Sequence, residues 1–372
     1  MSGPLRVAVV GAGGIAQMMH LPTLAERPDL FQIAGLADVN AVTLHAVGRR
    51  YGIATLATDH HELVARPDVD AVLVLASGSH RASVVDALEA GKHVFVEKPL
   101  GFSLEETQHI AAAAERARGY LMVGYHKRYD PAYLRAREEV RGLRDLRFVE
   151  VTVLHPDDGA YRMHHALLPR ADPPRGEPTE EAANRAAIEE ATKSVVTDGV
   201  ADGIAQTVRP GAPVEHRVAT LLLFQSLIHD VDAVRGILGE PEEVESARAW
   251  RGGFAQTSLT RFPRDVRVSM SWISLPGLRN YEERLRFVSP EKRVTLVFPS
   301  PYLRHQPTPL LVERMDGDEL VAEERTVSYE EAFRAELHHF RECIAAGRRP
   351  ETSFDDALGD ARWIRAIARA YA

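Results

Sequence analysis

The six residues Gly11-Ala12-Gly13-Gly14-Ile15-Ala16 constrain the fold more than any other stretch of the chain. They follow a short apolar, β-rich run at 5–10 and precede a helical pattern at 16–27. A strand that turns into a helix through glycine needs backbone that side chains would obstruct. Gly11 permits the tight turn, Gly13 lets backbone approach a ligand, and the small Ala16 allows close helix–strand packing. The helix N-terminus then offers N–H groups and a positive dipole end to phosphate. Asp38, 22 residues after Ala16, stands at the carboxyl end of a second apolar run at 31–37. It is placed to accept hydrogen bonds from both hydroxyls of a ribose.

These residues predict a dinucleotide site, with Gly11, Gly13, Gly14, Ile15 and Ala16 around the pyrophosphate and Asp38 on the ribose. Asp38 would repel a 2′-phosphate, so NAD is preferred over NADP. Arg49 and Arg50 in the next helix leave NADP open.

Strand and helix signals alternate through the first 125 residues. Helices are expected at 40–51, stopped by Gly52, at 82–90, and at 104–118 behind a Ser103/Glu106 capping box. Strands are expected at 69–76, 94–96 and 121–124. The run at 69–76 is nearly all apolar, the pattern of a strand buried on both faces. Such alternation implies a parallel, doubly wound sheet, an α/β Rossmann domain at 1–125. Beyond it the period changes. Strands expected at 148–154, 245–250, 256–262, 266–273, 284–288 and 293–298, joined by short turns, describe an open, mostly antiparallel sheet. Helices follow at 329–346 and 354–370. The second domain, 126–372, therefore reads as α+β and as the part that binds substrate. Within it, 155–213 is rich in proline, alanine and glutamate and poor in large apolar residues. It reads as a surface insertion, with a lid or an oligomer contact as the sharper alternative.

Composition narrows the partners. The formal charge is −8, which disfavours nucleic acid. Cys343 is the only cysteine, so no internal disulfide can form. No apolar stretch approaches membrane-spanning length and no leader sequence is evident, so a cytoplasmic location is expected. The pairs His60-His61, His164-His165 and His338-His339 raise a metal hypothesis. Adjacent residues on one element do not face one site, so no metal is expected.

Two further segments sit where ligands of open α/β sheets bind, beyond strand carboxyl ends. Ser77-Gly78-Ser79-His80 ends a buried strand, and Ser77 and His80 are candidates for the nicotinamide side of the cofactor. Glu97-Lys98-Pro99 ends the strand at 94–96. A lysine held there by proline, with its ammonium pKa lowered by partial burial, suits proton transfer.

The chain resembles the glucose–fructose oxidoreductase / inositol dehydrogenase / MocA family. The resemblance rests on VAVVGAGGIAQMMHLPTL at 7–24, DAVLVLASGSHRASVVDALEAGKHVFVEKPL at 70–100, VGYHKRYDP at 123–131 and HDVD at 229–232. It implies an NAD(P)-dependent dehydrogenase or ketoreductase acting on a sugar, cyclitol or sugar derivative. It also implies a homodimer or homotetramer built through the C-terminal sheet. The family's catalytic lysine falls on Lys98, with Glu97 beside the cofactor. Its catalytic histidine falls on His229. An aspartate common four residues earlier is replaced by Gln225, which can orient a hydroxyl but cannot take a proton. At that spacing Gln225 and His229 share a helix face. His126 falls where the family places an asparagine near the nicotinamide, and Arg128 and Tyr129 could tie the domains together. Two alternatives stand beside the dehydrogenase. One is elimination or hydrolysis of a glycoside with the NAD recycled, and the other is a non-catalytic NAD-binding regulator.

Overall fold

The computed structural model describes residues 3–168, 193 and 200–372. The stretch at 179–193, whose alanine and glutamate content suits a helix, lies outside the described residues except for residue 193. The chain divides into two compact units. One gathers the described residues of 1–125, 163–176 and 333–358, and the other those of 126–162, 177–332 and 359–372.

The first unit is built on six parallel strands, β1 (Leu5–Val10), β2 (Phe31–Ala37), β3 (Leu56–Ala57), β4 (Ala71–Val74), β5 (His93–Glu97) and β6 (Leu121–Gly124), in the order β3-β2-β1-β4-β5-β6. β4 is buried at every position, as its apolar run requires. Helices cover both faces, because parallel strands must be joined by crossovers. Asn40 caps the helix Ala41–Tyr51, its side chain accepting from the N–H groups of Val42 and Thr43, and Gly52 ends it with φ 64°. Ser103 caps Leu104–Arg116 through the Glu106 N–H, while Glu106 accepts from the Phe102 N–H. The helix after the glycine turn is not uniform. Ala16–His20 is a π-helix that passes into the α-helix Leu21–Glu26.

Residues 333–358, nearly all of the helix Ala332–Ala346 and the stretch after it, belong with this sheet rather than with the second unit. Val123 N–H donates to Thr352 O at 3.0 Å, and Thr352 Oγ1 donates to Val123 O at 2.7 Å. Phe340 meets Phe95 edge to face at 5.9 Å.

The second unit holds eight strands, β7 (Phe148–His155), β8 (Glu243–Trp250), β9 (Ala255–Phe262), β10 (Val266–Ser274), β11 (Glu282–Val288), β12 (Lys292–Phe298), β13 (Pro309–Asp316) and β14 (Glu319–Thr326). Their order is β14-β13-β12-β11-β7-β10-β9-β8, and only β7 and β10 pair in parallel. The six expected strands are all present. β13 and β14 add a hairpin the sequence reading passed over, because β14 is largely exposed and carries charge along its length. Alternate residues of β7, Val149, Val151 and Val153, are buried, giving the sheet one packed face. Trp363 seals that core, edge to face with Phe262 at 5.0 Å and donating from Nε1 to Thr260 Oγ1 at 3.1 Å. No helix among the described residues is long and apolar enough to cross a membrane.

Candidate functional site

Parallel pairing brings the carboxyl ends of β1, β2, β4 and β5 to one edge of the first sheet. The glycine turn, Asp38, the 77–80 segment and Lys98 all stand on that edge. Gly11 adopts φ 99°, and a Cβ there would lie 2.4 Å from Ala76 N, so only glycine lets β1 turn this close to the end of β4. At Gly13 a Cβ would meet none of the described residues within 4 Å, so the turn has open space over it. Asp38 is fixed above the turn, its Oδ2 accepting from Ala12 N–H at 2.7 Å and its Oδ1 from Asn40 N–H at 2.8 Å. Each oxygen keeps a further lone pair for a ribose hydroxyl. Blocked Cβ space at the turn, open space above Gly13 and a fixed carboxylate together suit a dinucleotide.

Ser77 is exposed and precedes Gly78, which has φ 88°. His80 is buried, with Nδ1 at 2.8 Å from Pro99 O and Nε2 at 2.7 Å from Ala76 O. The ring thus bridges the β4 turn and the residue after Lys98, and its N–H donates to one of these two carbonyls. Glu97 is also buried. His20 Nε2–H donates to Glu97 Oε1 at 2.7 Å, and the Lys98 backbone N–H donates to Glu97 Oε2 at 3.2 Å. Lys98 follows with a part-exposed side chain and a cis bond to Pro99.

Residues 166–168 of the 155–213 insertion are bound at this unit. The Gln17 side chain donates to Ala12 O and to Leu168 O, each at 2.8 Å, and accepts from Leu168 N–H at 2.7 Å. Arg50 Nη1 donates to Ala166 O.

In the second unit Gln225 is exposed and lies in a π-helical turn, Leu223–Leu227, directly before the α-helix Ile228–Leu238 that carries His229. A π-turn inserts a residue into an α-helix and is frequent at functional sites. His126 stands on the 3₁₀ turn His126–Tyr129 and meets His229 edge to face at 4.4 Å. Beside that contact the two segments are held by buried charge. Lys127 Nζ pairs with Asp230 Oδ1 at 2.9 Å and with Glu283, and Arg128 Nη1 pairs with Asp232 Oδ1 at 3.1 Å. Tyr281 donates to Glu283 Oε2 at 2.9 Å, and burial followed by the Glu283 charge pushes its phenol well up. Burial, then Glu283, pushes Asp230 well above the usual carboxylate range against the pull of Lys127. A Cβ on Gly236 would lie 2.5 Å from Tyr133 Oη and 2.6 Å from Arg128 Cζ, so a bare helix face is what admits Arg128. Lys127, Asp230 and Glu283 were not singled out from the sequence. For Lys127 and Asp230 a signal exists, since HKR at 126–128 and HDVD at 229–232 carry charges of opposite sign beside the two histidines; Glu283 has none there.

The paired-histidine argument against metal does not describe residues 60 and 61. Their rings lie 4.1 Å apart, and their Nε2 atoms both reach Asp86 Oδ2, at 2.8 and 3.2 Å, while Asp59 Oδ1 sits 2.6 Å from His61 Nδ1. His60 precedes the short helix at 61–64, which lets both rings turn to one side. The four side chains satisfy one another as a surface ion-pair cluster.

Residues 5–125 match the family described as an oxidoreductase family with an NAD-binding Rossmann fold. Over that third of the chain, the sequence is similar to the NAD-binding part of the Gfo/Idh/MocA family. Among curated relatives, the inositol 2-dehydrogenase/D-chiro-inositol 3-dehydrogenase of Shouchella clausii is 39% identical over 138 residues, 36% of this chain and 39% of that protein. The inositol 2-dehydrogenase of Gluconacetobacter diazotrophicus is 37% identical over 134 residues, 35% of this chain and 39% of its own. The alignment thus spans about two fifths of these relatives' length. Among solved structures, aldose-aldose oxidoreductase from Caulobacter crescentus superposes with a TM-score of 0.72 at 23% identity, covering 99% of this chain and 97% of that one. A 3-ketoreductase from Actinomadura kijaniata, solved with NADP and TDP-benzene, gives 0.72 at 19% identity, covering 99% and 98%. At these identities the structural likeness speaks for the fold of both units. The family matched over 5–125 is described as NAD-binding, and the Actinomadura kijaniata ketoreductase was solved with NADP.

Proposed function

We propose that this protein is an NAD(P)-dependent dehydrogenase or ketoreductase acting on a hydroxyl or ketone carbon of a sugar, cyclitol or sugar derivative. The observation that carries the reading is Lys98 at the carboxyl edge of the nucleotide-binding sheet, on a turn whose Glu97 is fixed by His20. When bound, the nicotinamide ring supplies the acceptor or donor of hydride. His229 takes the proton of the reacting hydroxyl, since imidazole titrates near neutral pH. Lys98 stabilises the oxygen as charge develops on it, and Gln225 orients a neighbouring hydroxyl. The pairing of Lys98 with His229 on one substrate comes from the sequence resemblance. The sequence resemblance also assigns His126, which is in ring contact with His229, to the nicotinamide side. Inositol dehydrogenases among the relatives support a polyol or sugar ring as substrate. Assembly as a homodimer or homotetramer through the eight-stranded sheet and a cytoplasmic location belong to the same proposal.

The test is a panel of inositols, free sugars and nucleotide sugars with NAD and NADP, read as reduced nicotinamide absorbance. Turnover by no member in either direction overturns the reading. Consumption of a glycoside without net NADH would point to elimination with recycled NAD instead.

Asp38 also sets the cofactor choice. Asp38→Asn keeps an acceptor for the Ala12 N–H and removes the charge that opposes a 2′-phosphate. Selectivity for NAD over NADP should fall at least about tenfold, equivalent to about 1.4 kcal/mol. Titration of both cofactors by fluorescence checks this, and an unchanged ratio rules out Asp38 as the determinant.

A further inference from the structure

Glu336 lies on the helix Ala332–Ala346, one turn from Phe333 and from Phe340, and is fully buried. It faces the same Glu97 that precedes the proposed catalytic lysine. One nitrogen or oxygen from each of Glu336, Glu97 and His20 lies within 4.8 Å of the other two. The surroundings are aromatic, with His20 edge to face against Phe95 at 5.4 Å and Phe333 at 5.7 Å.

The hydrogen bonds in this cluster are unequal. Glu97 has an N–H donor on each oxygen, His20 Nε2–H on one and the Lys98 backbone on the other. Glu336 Oε1 and Oε2, like His20 Nδ1, are buried with no hydrogen-bond partner among the described residues. Two carboxylates this close in an apolar setting do not both ionise. The negative charge belongs on the carboxyl that has donors, and the proton on the one that has none. Burial, and after it the charge of Glu97, push the Glu336 carboxyl well above the usual range.

We propose that Glu336 is a positioning residue for the Glu97-Lys98 turn: it stands as the neutral acid against Glu97, and the single negative charge of the pair holds Glu97 between His20 and the Lys98 N–H. Its catalytic consequence rests on the reading of Lys98 given above, whereas its charge state does not.

The experiment uses the full chain and needs no substrate. Melting temperatures of the wild type and Glu336→Gln are compared from about pH 5 to pH 9. A carboxyl whose folded pKa is raised binds more protons in the folded state. Its contribution is complete below the unfolded value near 4.5 and is lost as pH rises through the folded pKa. Glutamine has no such loss. The two proteins should therefore melt together near pH 5, and the variant should gain steadily as pH rises. In parallel, lysines are ¹³C-methylated and followed by NMR. The chain has five, Lys92, Lys98, Lys127, Lys193 and Lys292, and Lys98→Arg identifies the Lys98 signal. In the wild type that signal should show a second inflection at the pH where the gap between the melting curves levels off, and Glu336→Gln should abolish only that inflection.

A variant less stable than wild type near pH 7 overturns the proposal, because it marks an ionised Glu336 paired with protonated His20. So does a pH-independent difference, or a variant that fails to fold, since a neutral isostere is what the proposal assigns to the wild type. A Lys98 signal without the second inflection overturns the positioning role. Full turnover by Lys98→Ala would instead defeat the catalytic reading and leave the melting behaviour as stated.

Discussion

Lys98→Ala is expected to lower turnover by about 10²- to 10⁴-fold, the range of a positioned proton-transfer or charge-stabilising group. The side chain stands at the end of β5, on the edge of the sheet where the glycine turn and Asp38 also stand. Its backbone is not free to wander, because its N–H donates to Glu97 Oε2 and Glu97 is held by His20. Truncation to alanine leaves those backbone contacts in place and removes the ammonium with its alkyl stem. Cofactor affinity should accordingly stay within about threefold of wild type, with the loss falling on kcat. Lys98→Arg separates two ways the ammonium could act. Guanidinium keeps the charge but does not give up a proton in the working pH range. Partial recovery by arginine therefore indicates oxyanion stabilisation, and none indicates that a proton moves. The measurement is stopped-flow reduction of NAD with the most active member of the substrate panel. Full activity in Lys98→Ala removes Lys98 from the chemistry.

The Rossmann half was legible because each of its signals is local. A glycine turn, a capping box at Ser103 and a run of four buried residues in β4 each declare themselves within a dozen residues. The second sheet was legible where one face is buried, as in β7, and not in β14, where both faces carry charge. The two π-helical turns had no readable signal, since one inserted residue leaves the apolar pattern almost unchanged. Site residues divide in the same way. The glycines, Asp38, Glu97 and Lys98 sit at strand ends, whose place in a parallel sheet follows from sequence order. Lys127 meets Asp230 and Glu283 from 103 and 156 residues away, and isolated charges read as solvated. Glu336 did leave a trace. It falls on the stripe of Phe333, Leu337, Phe340 and Ile344, where a charged residue on a buried helix face is out of place.

That long-range cluster is the source of the second large effect. Lys127→Met should destabilise the second unit by about 3–5 kcal/mol, because it leaves the buried carboxyls of Asp230 and Glu283 without their cation. For a unit of this size the melting temperature should fall by on the order of 10 °C. Methionine fills nearly the same volume as the lysine stem, so packing contributes little to the loss and charge carries it. The partly compensated variant Lys127→Met/Asp230→Asn should recover part of the stability, since one of the two orphaned acids is then neutral. A surface ion pair behaves differently, with a median worth of about 0–1 kcal/mol. A loss below about 1 kcal/mol by urea unfolding would thus show that water reaches the cluster and that it holds nothing together. The effect should also extend to the histidines. Lys127 and Asp230 are the chain neighbours of His126 and His229, so the ion pair fixes the backbone on both sides of the 4.4 Å ring contact. In Lys127→Met the His229 imidazole resonances should broaden and shift at temperatures well below unfolding, while those of His20, in the first unit, stay in place.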